Sequence, residues 1–267
     1  MEHYNGLPIP TKVEAPLGTY TNGSEDKRDW PNSYASAIGM MLYLASNTRP
    51  DISFAVHQWA RFTHNTKVSH KKAVKRICSY LQGTKDNVLV FNPSKKLVVD
   101  CYADAYFAGL WVHENPQDPI CDRSRTVFVV TFVYCPLFWV SKLQTDIALY
   151  TLHSEYVALS HSVRALFPLK SLIKEVIDNL GIYSKKLKFV SSSTIYEDNN
   201  GAIVVAKIPR ITPKSKHIAV KYHWFRQHVG KEFVIRKIES KNQKADISTK
   251  GLQGHKFVRI GKLLCGW

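Results

Sequence analysis

The sequence predicts an α/β fold: a mixed sheet flanked by helices, with a smaller helical unit ahead of it. Three observations carry this prediction. Residues 33–82 place apolar side chains at three- and four-residue steps, the period of buried helices. Three β-rich runs then follow one another, and beyond them helical and strand-like stretches alternate.

Taken in order, residues 1–31 hold Pro8, Pro10, Pro16 and Pro31 among glycines and polar residues, and read as an extended lead-in. Ile38, Met41, Leu42 and Ala45 set a helical period, and Pro50 forces a break before a second helix over 52–62. A third helix, 69–82, stops at Gly83. It puts Ala73, Val74, Ile77 and Leu81 on one side and turns Lys71, Lys72, Lys75 and Arg76 largely away from them. Those four are either a solvated basic face or a helix that grips phosphates. A strand over 97–103 ends at Asp104, and runs at 126–134 and 137–141 form a hairpin around Cys135-Pro136. A long helical stretch, 149–180, is interrupted at Pro168 and stopped at Gly181. A strand over 187–196, a short helix over 200–207 and a basic loop with Pro209 and Pro213 come next. A helix over 217–229, a strand over 233–238 and a helical segment from Lys244 follow. The chain thus divides into a lead-in (1–31), a helical segment (32–95), a sheet-bearing domain (96–255) and a C-terminal tail (256–267).

Composition narrows the function. The 267 residues are 45% hydrophobic and 22% charged, which excludes a disordered tail, a collagen-like fibre or a coiled-coil rod. The net charge of +16 is the unusual quantity. So many cations lower their free energy against a polyanion, either nucleic acid or an anionic membrane. The longest apolar stretch, 126–140, is too short to span a bilayer and is broken by Pro136, so nucleic acid is the better partner. Five scattered cysteines without a Cys-x-x-Cys spacing argue against disulfides and structural zinc, and for a reducing intracellular compartment. The opening Met1-Glu2-His3-Tyr4-Asn5 has no signal-peptide character, so secretion is not expected.

Four carboxylates stand at element ends in this acid-poor chain. Asp104 closes the first strand, Glu155 lies in the first turns of the long helix, Asp198 follows a later strand and Asp246 opens the last segment. They lie far apart in sequence, so only tertiary folding can gather them. An Asp among apolar strand residues, as in Val98-Val99-Asp100-Cys101-Tyr102-Ala103-Asp104, needs a partner to offset its desolvation. A hard divalent cation such as Mg²⁺ is one such partner, since it takes oxygen ligands and keeps several waters. Each carboxylate also fits a structural role, Asp198 and Asp246 as helix caps and Glu155 as a surface residue.

The words around these residues add a resemblance. Tyr34-Ala35-Ser36-Ala37-Ile38-Gly39, Thr48-Arg49-Pro50-Asp51-Ile52, His70 with Lys75-Arg76-Ile77, and Tyr80-Leu81-Gln82-Gly83-Thr84 resemble the segment after the reverse transcriptase palm in copia-type LTR retrotransposon Pol polyproteins. Tyr102-Ala103-Asp104-Ala105, Trp139-Val140-Ser141-Lys142-Leu143-Gln144, Glu155-Tyr156-Val157-Ala158-Leu159, Glu197-Asp198-Asn199, Lys216-His217-Ile218 and Gln243-Lys244-Ala245-Asp246-Ile247-Ser248-Thr249-Lys250 resemble their ribonuclease H domain. The resemblance runs in order over nearly the whole chain from Tyr34. It implies a ribonuclease H-like mixed five-stranded sheet over 96–255, preceded by a thumb-like remnant of reverse transcriptase over 32–95. It also implies metal-dependent endonucleolytic hydrolysis of RNA in RNA–DNA hybrids. Asp104, Glu155, Asp198 and Asp246 would hold two Mg²⁺ ions, with Mn²⁺ able to substitute. Hybrid or other nucleic acid would be the partner, along with a palm from a full Pol, in a cytoplasmic particle or the nucleus. Lys71, Lys72, Lys75, Arg76, Lys207, Arg210, Lys214 and Lys216 are the candidate phosphate contacts.

The chain departs from the family at Tyr106, where a second Asp is usual, at His153, where an acidic residue is usual, and at Val127, where a hairpin Gly is usual. No His lies between Arg236 and Asp246, where other ribonucleases H carry one, and no Asp-Asp pair exists for a polymerase. A non-catalytic, nucleic-acid-binding remnant of a decayed element is therefore the alternative. Among other constellations, the eleven histidines show no trusted metal spacing, and His153 reads as helix surface. Trp111 and Trp224 fit core packing better than base stacking.

Overall fold

The computed structural model of the chain describes residues 3–4, 7–8, 31–111, 120–181, 189–208 and 216–267. His3–Tyr4 and Leu7–Pro8 form a short antiparallel pair. Helix α1, Pro31–Asn47, buries Tyr34, Ile38, Met41 and Ala45 along one stripe. Arg49, which precedes Pro50, is held out of the helical region, so the chain turns through a short 3₁₀ segment, Pro50–Ile52, into α2, Ser53–Ala60. Helix α3, Val68–Gly83, begins with a side-chain cap: the Lys67 N–H donates to His70 Nδ1 at 3.2 Å. The His70 ring is fully buried and stacks on Phe62 with centroids 4.1 Å apart.

Five strands make one sheet. They are β1 (Val99–Tyr106), β2 (Arg125–Phe132), β3 (Cys135–Leu143), β4 (Ser193–Glu197) and β5 (Phe233–Lys237), in the order β3-β2-β1-β4-β5. The first three are antiparallel, and β4 and β5 add in parallel, so the sheet is mixed, as the sequence predicts. Helix α4, Thr151–Asn179, connects the antiparallel part to β4, and α5, Asn200–Lys207, follows β4. A 3₁₀ segment, Lys244–Ser248, leads to α6, Gly254–Cys265.

Alternation along β2 defines the two layers. Phe128 and Val130 face a core with Tyr156, Leu159, Val163 and Leu166 of α4. Val127 and Val129 face a second core with Trp59 of α2, Ile77 of α3, and Phe257, Ile260 and Leu264 of α6. The helical segment and the sheet therefore share one apolar core, and residues 256–265, read from sequence as tail, complete it. Trp139 on β3 donates its indole N–H to the Ala45 carbonyl at 2.6 Å, pinning sheet to helices.

Several local expectations are corrected. β1 continues past Asp104 to Tyr106 because its pairing with β2 runs on to Tyr106–Arg125. The hairpin turns at Val133 and Tyr134, not at Cys135-Pro136, and both residues carry positive φ (50° and 71°). Two left-handed residues match the twist of paired strands, which is why such turns favour Asn and Gly; here a β-branched and an aromatic side chain take the strain. Pro136 is tolerated because β3 is an edge strand with an irregular register beside it. Val127 sits in mid-strand opposite Asp104 and Ser141, so it strains no turn.

Helix α4 runs unbroken through Pro168. Arg164 and Pro168 lie one turn apart on its exposed side, where water can take the freed carbonyl, while the buried stripe on the other side holds the helix together. Residues 217–229 form two 3₁₀ segments, Val220–Tyr222 and Trp224–His228, instead of an α-helix. Tyr222, Phe225 and His228 stand at three-residue steps, which a 3₁₀ turn stacks on one side. All five cysteines are free. Among the described residues no helix is long and apolar enough to cross a membrane.

Candidate metal centre

The carboxyl ends of the parallel strands β1 and β4 set the site. These strands pair at Tyr102–Tyr196, whose rings stack with centroids 4.7 Å apart. Asp104 and Asp198 each lie two residues beyond that pair, so parallel pairing alone carries both to the same end of the sheet. Glu155 comes from the first turns of α4, which packs on one face. The result is that Asp104, Glu155 and Asp198 each offer an oxygen within 4.8 Å of the others. Among the described residues this is the group of His, Cys, Asp and Glu side chains able to hold a metal ion.

Burial makes the group costly without a cation. Asp104 is 3% exposed and Glu155 4%, and Asp104 Oδ2 and Glu155 Oε2 are buried without a hydrogen-bond partner. Burial, then the charge of Asp246, pushes the Asp104 carboxyl well above the usual range; burial, then the charge of Glu197, does the same to Glu155. The Ala105 backbone N–H donates to Glu155 and partly offsets this. Asp198 is half-exposed, and the Ser240 hydroxyl donates to its Oδ2 at 2.6 Å. It does not cap α5; Asn199 does, accepting from the Ala202 N–H at 3.0 Å. Orphaned buried carboxylate oxygens that converge fit a hard divalent cation, and the donor set is all oxygen.

Asp246 adjoins Asp104 but lies outside the convergent trio. It is 1% exposed on the Lys244–Ser248 segment, which Gln243 fixes to β1 by donating to the Ala103 carbonyl at 2.8 Å. Lys250 Nζ is 3.1 Å from its Oδ1, and Lys256 Nζ contacts its Oδ2. Burial alone would raise the Asp246 carboxyl, but Lys250, Lys256 and a hydrogen bond with Asp104 outweigh it and hold it below the ordinary range.

Three participants escape a reading of the sequence. Glu197 is fully buried at the end of β4; its Oε1 accepts from the Asn199 N–H at 2.9 Å, and its Oε2 has no partner. Burial leads in pushing it well above the usual range. Its signal was the alternation of β4, which turns Ser193, Ile195 and Glu197 inward together. Lys250 and Lys256 are the other two, and only the i,i+4 spacing of Asp246 and Lys250 hinted at either.

The candidate phosphate contacts are scattered. Lys72, Lys75, Lys207 and Lys216 are exposed and Arg76 is half-exposed. Lys71 is buried at 8% exposure, so it does not belong to the basic face. It follows His70, whose buried ring draws this end of α3 inward, beside the Leu7–Pro8 strand. Arg210 and Lys214 lie outside the described residues. Lys221 is spent on Asp146 at 2.7 Å. His153 is buried, not surface: its Nδ1 accepts from the Leu149 N–H at 3.3 Å. Trp224 donates to Ser160 Oγ at 3.1 Å and packs edge-on against Phe167, whereas Trp111 is 48% exposed.

No protein-family model matches the chain. It is 34% identical over 232 residues to the retrovirus-related Pol polyprotein from transposon TNT 1-94 of Nicotiana tabacum, covering 86% of this chain. It is 31% and 30% identical to the retrovirus-related Pol polyproteins from transposons RE1 and RE2 of Arabidopsis thaliana, covering 94% of this chain in each case. The chain spans only 16% of the length of each of these three relatives. Its homologues are thus retrotransposon Pol polyproteins, matched over most of its length.

Proposed function

We propose that this chain is the ribonuclease H part of a retrotransposon Pol and hydrolyses the RNA strand of RNA–DNA hybrids. The observation that carries the proposal is the convergence of Asp104, Glu155 and Asp198 with two buried oxygens left unpartnered. The similarity to Pol polyproteins and the +16 charge support the same reading.

Asp104, Glu155 and Asp198 would hold the divalent ion. When bound, Mg²⁺ activates a water and stabilises charge developing on a phosphodiester. The protein's own part is positioning. The β1 ladder fixes Asp104, α4 and the Ala105 N–H fix Glu155, and Ser240 restrains Asp198. Water adds to phosphorus in line, the bond to the 3′ oxygen breaks, and that oxygen leaves as a 3′-hydroxyl, with a 5′-phosphate on the other fragment. Exposed cations such as Lys72, Lys75, Lys207 and Lys216 supply phosphate contacts, and the hybrid is recognised by shape and 2′-hydroxyls rather than by sequence.

The test is a labelled hybrid incubated with the purified chain and Mg²⁺. The wild type should cut the RNA strand and leave duplex DNA intact, while Asp198→Asn should bind hybrid yet cleave ~10²–10³-fold more slowly, the scale of one lost electrostatic group at a reacting centre. Tight hybrid binding without cleavage in Mg²⁺ or Mn²⁺ would instead establish the second reading, a non-catalytic remnant. The observations favouring that reading are Tyr106 and His153 where the family usually carries acids, and the lack of a His between Arg236 and Asp246.

A further inference from the structure

We propose that Lys250 and Lys256 occupy a second cation seat beside Asp246, so that the site takes one divalent ion, not two. The inference rests on reading Asp104, Glu155 and Asp198 as a cation site and concerns what fills the remainder of the acidic cluster. Each Asp246 oxygen already carries an ammonium: Lys250 contacts Oδ1 at 3.1 Å and Lys256 contacts Oδ2. Asp246 is 2% exposed at its side chain, and the two lysines 37% and 30%, so the ammoniums roof the carboxylate and face water themselves.

Both lysines are delivered by the backbone rather than by chance contact. Lys250 stands four residues beyond Asp246, and Lys256 lies in the first turn of α6, whose Phe257 and Ile260 are anchored in the core. Lys250 also lies within the fields of Asp104 and Asp198, and so reaches toward the trio from the Asp246 side. The trio itself keeps the unpartnered oxygens, Asp104 Oδ2 and Glu155 Oε2. The close ammonium contacts therefore fall on Asp246, while Lys250 acts on Asp104 and Asp198 only at longer range. A divalent ion at Asp246 would meet two ammoniums already on the same carboxylate, and would have to expel at least one of them. An ion among the trio has no ammonium in contact to expel and meets Lys250 only through its longer-range field.

The test is calorimetric titration of Mn²⁺ into the metal-free full chain near neutral pH. The wild type should bind one Mn²⁺ per chain, and Lys250→Met combined with Lys256→Met should bind two. Adding Asp246→Asn to that pair should return the count to one. A double variant that melts cooperatively but still binds one ion would overturn the proposal. Should the double variant not fold, the wild type alone decides by electron paramagnetic resonance at saturating Mn²⁺. No spin coupling between ions is expected, and coupling of the kind a pair about 4 Å apart produces would overturn the lysine seat. Two ions in a wild type that cleaves hybrid would sink this inference and leave the proposed function standing; no ion at all would sink both.

Discussion

Two regions of the molecule bury carboxylates, and they treat them in opposite ways. Asp51, at the junction of α1 and α2, is 2% exposed and fully matched. Arg49 donates to it through Nε at 2.9 Å and through its terminal nitrogen at 2.7 Å, and the Tyr80 hydroxyl adds a third bond at 2.7 Å. The remaining Arg49 donors go to Thr84, to the hydroxyl at 2.8 Å and the carbonyl at 3.2 Å. At the ends of β1 and β4, by contrast, Asp104, Glu155 and Glu197 are as deeply buried and each keeps an oxygen with nothing to accept from. A buried charge whose every atom is satisfied is architecture; one left short is waiting for something from outside the chain.

The largest effect of this contrast is on stability. Arg49→Met strands Asp51 and should cost about 3–5 kcal/mol, the range for removing one partner of a buried pair. Urea unfolding measures it, and a loss under 1 kcal/mol would mean the network is slack. At the other end the sign reverses. Glu197→Gln removes a buried charge that other carboxylates oppose, so the metal-free protein should gain stability, on the order of 1 kcal/mol. A clear loss in the same urea experiment would show that the Asn199 bond to its Oε1 outweighs the repulsion.

A smaller prediction concerns the strained hairpin that lies away from both regions. Tyr134, at φ 71° and 45% exposed, loses little packing on replacement, so Tyr134→Gly should raise stability by about 1 kcal/mol. No change in the unfolding midpoint would mean that the turn relaxes freely.

The same contrast explains what could be read in the sequence. Asp104, Glu155 and Asp198 could be singled out because each stands at an element boundary within a recognisable word, and strand pairing then does the gathering. Glu197 is harder to single out because its neighbour Asp198 completes the recognisable word, although the period of β4 points Glu197 inward. The two lysines on Asp246 were out of reach, since Lys256 lies in a segment read as tail and only the packing of α6 brings it back. Elsewhere, tertiary packing overrode local signals. A buried stripe carried α4 through Pro168, aromatic packing tightened 217–229 into 3₁₀ turns, and the neighbouring His70 drew Lys71 in. Pro136 is the usual kind of turn residue, but an edge strand absorbs a proline as readily as a turn does.

The most direct measurement is the melting temperature of the chain as a function of pH, with and without Mg²⁺. Asp104, Glu155 and Glu197 have carboxyls raised in the folded state, so over that window the folded protein holds protons that the unfolded chain releases. Stability of the metal-free protein must then fall as pH rises above the ordinary carboxylate range, because these groups are forced to ionise without a partner. Asp246, held low by its lysines, works the other way and contributes stability that disappears only in stronger acid. Mg²⁺ should supply the missing charge, so the melting temperature should rise on its addition, more at pH values above neutral than in acid, and the rise should vanish in Asp104→Asn. A melting temperature indifferent to Mg²⁺ and Mn²⁺ at every pH would contradict the account, because the unpartnered carboxylates would then be a defect of the fold and not a site.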